Sequence, residues 1–306
     1  MSLIGENIHI ISPSVKQAII ERDGSFILDL VRRQVDCGVK IIDLNIGPAK
    51  GSLEGSMRWL IELVQDNIAG VNFSLDTTSF TELKSGFEVL KNPSIAFLNS
   101  TSAVPERLQN TVELAAKYGS NLVALTLSEA GIPKTAEERF ELAYAMAEAA
   151  NAAGIDNSKI YLDPLVLPVC VDQAQAGTAL ESIRMFKESF EPEIKTVVGL
   201  SNISNGCTKE FRPLINRVFL ILALGAGLDA AIVDSFDAQT VELHNDAQNG
   251  NLKGIWSALY KMSKNFCELE ELEFDKTNPE QAKIYKTAQI LLNKEIYTHS
   301  YLGEIN

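Results

Sequence analysis

The stretch KIIDLNIGPAKGSLEGSMRWLIELVQDNIAGVNFSLDT, from Lys40 to Thr77, decides how the chain folds. It opens on a short β-branched run, Lys40–Ile46, and passes through Met57–Asn67, where apolar residues recur at three- and four-residue spacing. It closes on a second short run, Asn72–Thr77. A strand, an amphipathic helix and a strand in that order read as one parallel βαβ unit. Both strands carry polar side chains toward their C-terminal ends, Asp43 with Asn45 in the first and Asp76 in the second.

The same alternation runs outward in both directions. The strand candidates are Leu3–Ile10, Lys40–Ile46, Asn72–Thr77, Ile95–Ser100, Asn121–Leu127, Lys159–Leu165, Lys195–Ile203 and Ala230–Ser235. Helix candidates between them include Phe26–Cys37, Met57–Asn67, Pro105–Tyr118, Ala136–Ala153, Leu180–Phe190 and Leu214–Leu224. Thr135-Ala-Glu-Glu138 is a capping-box start, and Gly38, Gly119, Gly154 and Gly227 fit helix C-terminal stops. Repeats of this kind with right-handed crossovers form an open doubly wound sheet or a closed barrel.

Two features favour closure. No strand is followed by a G-x-G-x-x-G turn. Polar residues also gather at or near strand ends: Glu6, Asp43 with Asn45, Asp76, Asn99, Ser128 with Glu129, Asp163, Ser201 with Asn202, and Asp234. In a barrel those ends converge on one mouth, where active sites of this architecture are built. The expected fold is therefore a (βα)8 TIM barrel. Beyond Asp237 come helical stretches at about Leu252–Lys264 and Pro279–Asn293, joined by the acidic run Glu268–Asp275, which reads as solvated surface. They read as the eighth helix and additional C-terminal helices. No low-complexity linker breaks the chain, so residues 1–306 read as a single domain.

Composition narrows the function. With 27 Lys+Arg against 40 Asp+Glu the formal charge is -13, which repels phosphate backbones and anionic lipid, so neither nucleic acid nor membrane is an expected partner. The longest strongly apolar run, Val218–Leu228, is too short to span a bilayer. The four scattered cysteines and three histidines give poor support to a structural metal or a disulfide framework. The start MSLIGENIHII lacks the pattern of a signal peptide, and a cytoplasmic setting is the expectation.

Each polar strand end also has an ordinary structural explanation. Asp76-Thr-Thr-Ser and Asn99-Ser-Thr-Ser suit helix N-caps, and Asp163-Pro164 suits a turn. His9, on the first strand, reads as a hydrogen-bonded core residue. Taken together, however, carboxylates and carboxamides with few cations among them match a neutral heterocycle rich in N–H donors better than a phosphorylated sugar.

At these same residues the chain resembles the pterin-binding methyltransferases, in particular methyltetrahydrofolate:corrinoid-protein methyltransferases, relatives of the methionine synthase folate domain and of dihydropteroate synthase. The matching pieces are Ile4-Gly-Glu-Asn-Ile-His9, Asp43-Leu-Asn-Ile-Gly-Pro48, Ser74-Leu-Asp-Thr77, Phe97-Leu-Asn-Ser100, Tyr161-Leu-Asp-Pro164, Gly199-Leu-Ser-Asn-Ile-Ser204, Arg212-Pro-Leu-Ile-Asn-Arg217 and Leu228-Asp-Ala-Ala-Ile-Val-Asp234. They appear in family order over roughly the first 240 residues. The first strand departs from the family's usual Glu-Arg-Ile-Asn.

The resemblance implies that Asp76, Asn99 and Asp163 hydrogen-bond the pterin ring of tetrahydrofolate or 5-methyltetrahydrofolate. It implies that Asn202 reaches N5, that Gly199 and Ser201 line the same loop, and that Asp43 and Asn45 lie near the reacting end, with Glu6 also in the site. It further implies a cobalamin carried by a partner corrinoid protein, no tightly bound metal, and a homodimer. A carboxamide such as Asn202 cannot act as a general acid at neutral pH, but it can donate a hydrogen bond that strengthens as N5 gains electrons. Asp43 would then belong to the network that supplies the proton.

Three other readings stay open. One is a dihydropteroate synthase-like enzyme, although the basic residues which that family carries after its seventh and eighth strands have no counterpart in Gly199–Ser204 or Val233–Asp237. Another is a non-catalytic folate-binding subunit of a corrinoid complex. A third is a metal-dependent barrel lyase built on Asp43, Asp76 and Asp163.

Overall fold

The computed structural model describes residues 2–303; of the expected 1–306 domain, Met1 and residues 304–306 lie outside the described residues. Eight parallel strands close into a barrel in sequence order: β1 (Ser2–His9), β2 (Ile41–Gly47), β3 (Asn72–Thr77), β4 (Phe97–Ser102), β5 (Asn121–Leu125), β6 (Ile160–Asp163), β7 (Lys195–Gly199) and β8 (Ala230–Val233). Closure is completed by β8 against β1, with Ala230 beside Ser2 and Val233 beside Gly5. The fold is the expected (βα)8 barrel. Ile4, Phe97, Val123, Val197 and Ala230 form the packed interior of the barrel beneath its mouth.

Around the strands run α1 (Pro13–Glu21), α2 (Gly24–Asp36), α3 (Ser56–Asn67), α4 (Phe80–Phe87), α5 (Pro105–Tyr118), α6 (Ala136–Ala152), α7 (Ala174–Ser189), α8 (Arg212–Ala226) and α9 (Ala238–Asn249), followed by α10 (Gly254–Lys264) and α11 (Pro279–Leu291). Thr135 and Glu138 form the capping box that opens α6, each side chain accepting the other's backbone N–H. The apolar run Val218–Leu228 falls in α8 up to Ala226, and the helix is buried nearly all round because α10 and α11 pack on its outer side. Gly225 makes that packing possible, since a Cβ there would meet the Tyr260 carbonyl oxygen at 2.6 Å. Among the described residues no helix is long and apolar enough to cross a membrane.

The structure corrects four readings. The helix after β8 is α9, whose composition of Gln, Asn and Asp carries little apolar periodicity; α10 and α11 are both appended elements. The short α1 and α4 were not expected. The seventh strand stops at Gly199 instead of Ile203, because Leu200–Ser204 winds into a 3-10 turn. The acidic run is exposed at its glutamates, but Leu269 within it is buried at 2% exposure and anchors it to the core.

Candidate active site

Glu6, Asp43, Asn45, Asp76, Asn99, Asp163, Gly199, Ser201 and Asn202 all line one cavity of about 520 Å³ at the C-terminal mouth of the barrel. Parallel register brings them together: Asn45 pairs with Asp76, and Asp76 with Asn99, across β2, β3 and β4. Ser128 falls beyond the cavity in a bridge to Gly131, while Asp234 accepts from Asn7 Nδ2 at 2.7 Å and from the Phe236 N–H at 3.0 Å.

The floor is a closed polar cluster. Asn45 Nδ2 donates to Asp76 Oδ2, while Asn99 Nδ2 donates to Asp43 Oδ1 at 3.3 Å and lies 3.3 Å from Ser74 Oγ. The Asp43 and Asp76 carboxyls are close enough to share a hydrogen bond. Arg107 of α5 braces the chain behind them, donating to the carbonyls of Thr78 at 2.7 Å, Thr77 at 3.0 Å and Ser100 at 2.9 Å. Neither Asp76 nor Asn99 is a helix cap. Ser79 caps α4, and the N-cap position of α5 is Val104, which makes no side-chain cap. Asp163 does open a turn, with Oδ1 accepting the Leu165 N–H at 2.7 Å and Leu165 at a φ of 65°.

The rim is looser. Ser201 Oγ donates to Glu6 Oε1 at 2.5 Å, tying the 3-10 turn after β7 to β1. Asn202, the next residue, is exposed. A Cβ at Gly199 would stand 2.9 Å from Asn202 Nδ2, so only glycine leaves that carboxamide its place. Two further lining residues belong to family-matching stretches but were given no role in the site from the sequence. Arg212 enters from α8, with Nε donating to Ser204 Oγ at 3.3 Å. His9 lines the mouth instead of lying hydrogen-bonded in the core, and its buried Nδ1 has no hydrogen-bond partner among the described residues.

Burial sets the protonation of this cavity. Removal from water raises Asp163 to about 7, against the opposing Leu165 N–H and the positive charge of Arg139. It raises Glu6 to about 7 despite the Ser201 hydrogen bond, with Asp234 and Asp43 adding to the rise and Arg212 opposing it. Asp76 rises to about 6, and Asp43, buried beside it, is held well above the usual carboxylate range. Desolvation lowers His9. Near neutral pH the cavity therefore holds a mixture of carboxyl donors and carboxylate acceptors, which suits the alternating N–H and C=O edge of a neutral heterocycle. Among the described residues no group of three His, Cys, Asp or Glu side chains is placed to hold a metal ion.

Residues 12–234 match the family described as pterin binding enzyme. The chain belongs to this family. It is 31% identical over 255 residues to a methylcorrinoid:tetrahydrofolate methyltransferase of Eubacterium limosum, across 82% of this chain and 92% of that one. It is 30% identical over 242 residues to the methionine synthase of Mycobacterium leprae (strain TN), covering 76% of this chain but 20% of that protein, so this pterin-binding enzyme spans about a fifth of that relative. Among solved structures, the 7,8-dihydropteroate synthase of Vibrio fischeri ES114 superposes with a TM-score of 0.57 at 14% identity, covering 81% of this chain and 92% of that one. The Yersinia pestis DHPS with a pterine-sulfa conjugate gives 0.56 at 15%, covering 81% and 94%. At those identities they attest to the shared barrel alone.

Proposed function

We propose that this pterin-binding enzyme moves a methyl group between N5 of 5-methyltetrahydrofolate and the corrinoid of a partner protein. The observation that carries the reading is the division within one cavity. Its floor is a braced set of carboxyls and carboxamides, and its rim holds a carboxamide, Asn202, that no side-chain hydrogen bond fixes among the described residues. The names of the methyltransferase relatives point the same way.

In this reading Asp76, Asn99 and Asp163 hold the pterin ring, and Asn45 orients Asp76. Asp163 accepts paired N–H donors from the amino-pyrimidinone edge with the carboxylate capacity that its turn leaves free. N5 is a poor leaving group, so it must gain a proton or a strong hydrogen bond as its bond to the methyl carbon breaks. Asn202 turns its amide N–H toward N5, where the bond strengthens as electrons collect there. Ser201 and Gly199 set the turn that presents it, and Glu6 anchors Ser201. Asp43, a floor carboxyl whose burial favours its protonated form, reaches the ring-facing groups through Asp76 and Asn99 and feeds the proton network. A corrinoid, when docked, supplies the nucleophile or the methyl donor according to direction. The rim suits so large a ligand: Ile11 stands there 84% exposed and offers it an apolar contact.

Arg212 is the one cation among the described residues lining the cavity, and the Glu6 carboxyl is close enough for its charge to be felt. A pyrophosphate leaving group would demand a stronger cationic clamp. Calorimetric titration with 5-methyltetrahydrofolate, and in parallel with a hydroxymethyl-dihydropterin pyrophosphate, tests the choice. Saturable binding of the first with no condensation of the second onto p-aminobenzoate is expected; condensation would replace this reading with the dihydropteroate synthase one.

A further inference from the structure

Arg139 is the largest fully buried side chain among the described residues. It leaves the first turn of α6; its Nε donates to the Pro133 carbonyl at 3.1 Å and its Nη2 to Gln175 Oε1 at 2.5 Å. Both acceptors are neutral, and Nη1 has no hydrogen-bond partner among the described residues. A guanidinium taken out of water without a carboxylate in contact is costly unless an opposite charge lies within reach. Its place shows which one does. Helix α6 packs against β6 and α7, and its Arg139 guanidinium binds Gln175 at the start of α7, the helix that follows the C-terminal end of β6. That end carries Asp163, the carboxyl whose charge Arg139 feels most, ahead of the exposed Asp172.

We propose that Arg139 is the counter-charge for Asp163 when a pterin is bound, a positioning residue that acts on the ligand through that carboxylate. The inference rests on Asp163 being a pterin ligand. A carboxylate accepts both N–H bonds of an amino-pyrimidinone edge, whereas a carboxylic acid can accept only one with that oxygen pair. In mildly acidic solution binding must therefore expel the Asp163 proton, and the field of Arg139 favours its departure. Arg139 faces Asp163 from α6; the Leu165 N–H is its partner in the turn; Glu6, Asp43 and Asp76 stand on β1, β2 and β3 across the mouth.

The test is isothermal titration of the full chain with 5-methyltetrahydrofolate from about pH 5.5 to 9, in Arg139→Gln, Gln175→Glu and Asp163→Asn. Arg139→Gln is expected to move the acid limb of the affinity profile up by about one pH unit, a loss of about tenfold below neutrality and little at pH 9. Gln175→Glu keeps the arginine but sets a carboxylate against it, and moves the limb the same way even if the first variant folds poorly. Combined with Asp163→Asn, Arg139→Gln produces no further movement. A limb that stays in place in both single variants, or moves equally without Asp163, overturns the assignment. Parent-like affinity in Asp163→Asn alone overturns the reading of Asp163 instead.

Discussion

On the β2, β3 and β4 side of the cavity the polar groups hold one another: Asn45 donates to Asp76, Asn99 to Asp43, and Arg107 clamps the Thr78 carbonyl just after β3 and the Ser100 carbonyl within β4. On the β7 side Ser201 is tied to Glu6 and Arg212 to Ser204, but Asn202 stands exposed on a 3-10 turn. The contrast matches the two tasks proposed for the site. A ring is recognised by groups already in place, whose ordering cost was met on folding. A donor that must respond to charge developing at one atom needs freedom to approach it.

The contrast is sharpest in what each half should lose. Asn202→Ala is expected to cut turnover by about 10²–10³-fold, the scale of losing one transition-state hydrogen bond, while the Kd for methyltetrahydrofolate moves by less than about threefold. Asp163→Asn should do the reverse, weakening folate about 10–100-fold by calorimetry through loss of a charge-assisted pair. If both variants lost affinity alike, the division between floor and rim would be broken. Gly199→Ala places a methyl group against Asn202 Nδ2; a fall in turnover of about tenfold with unchanged Kd would locate the effect in the turn.

The smallest expected effect is on stability. Glu6, Asp76 and Asp163 keep their protons to higher pH in the folded chain than in the unfolded one. Their stabilising contribution is complete below about pH 4 and is lost as pH rises through about 6 to 7. Asp163→Asn removes one such loss, so without ligand it should melt a few degrees above the parent at about pH 8 and close to it at about pH 4. Equal melting temperatures at both would mean that the buried carboxyl costs the fold nothing.

Much of this was legible before any coordinates. Eight apolar runs, each ending in polar residues, specify strands whose ends must converge, and the nine expected site residues do line one cavity. What escaped has physical reasons. The α9 helix carries no strong apolar stripe, and α1 and α4 are too short for periodicity to register. Leu200–Ile203 reads as strand because it prolongs the apolar run through Val197, Val198 and Leu200 to Ile203, yet Leu200 and Ile203 are three residues apart and a 3-10 turn places both inward and Asn202 outward. Arg107 and Arg139 lie on helices, behind the strands, where charged residues at helix starts look like ordinary surface; only the fold shows that Arg107 holds the carbonyls of Thr77, Thr78 and Ser100 and that Arg139 is buried. His9 was misplaced because a strand's end, unlike its middle, opens into the mouth.

The account is tested most directly by mixing the protein anaerobically with 5-methyltetrahydrofolate and chemically reduced cob(I)alamin, then with a corrinoid protein, and following the absorbance of methylcobalamin. Saturable methyl transfer that tracks protein concentration is the predicted result. Folate binding with no methyl transfer to either acceptor would contradict it, and would make the protein a folate-binding subunit.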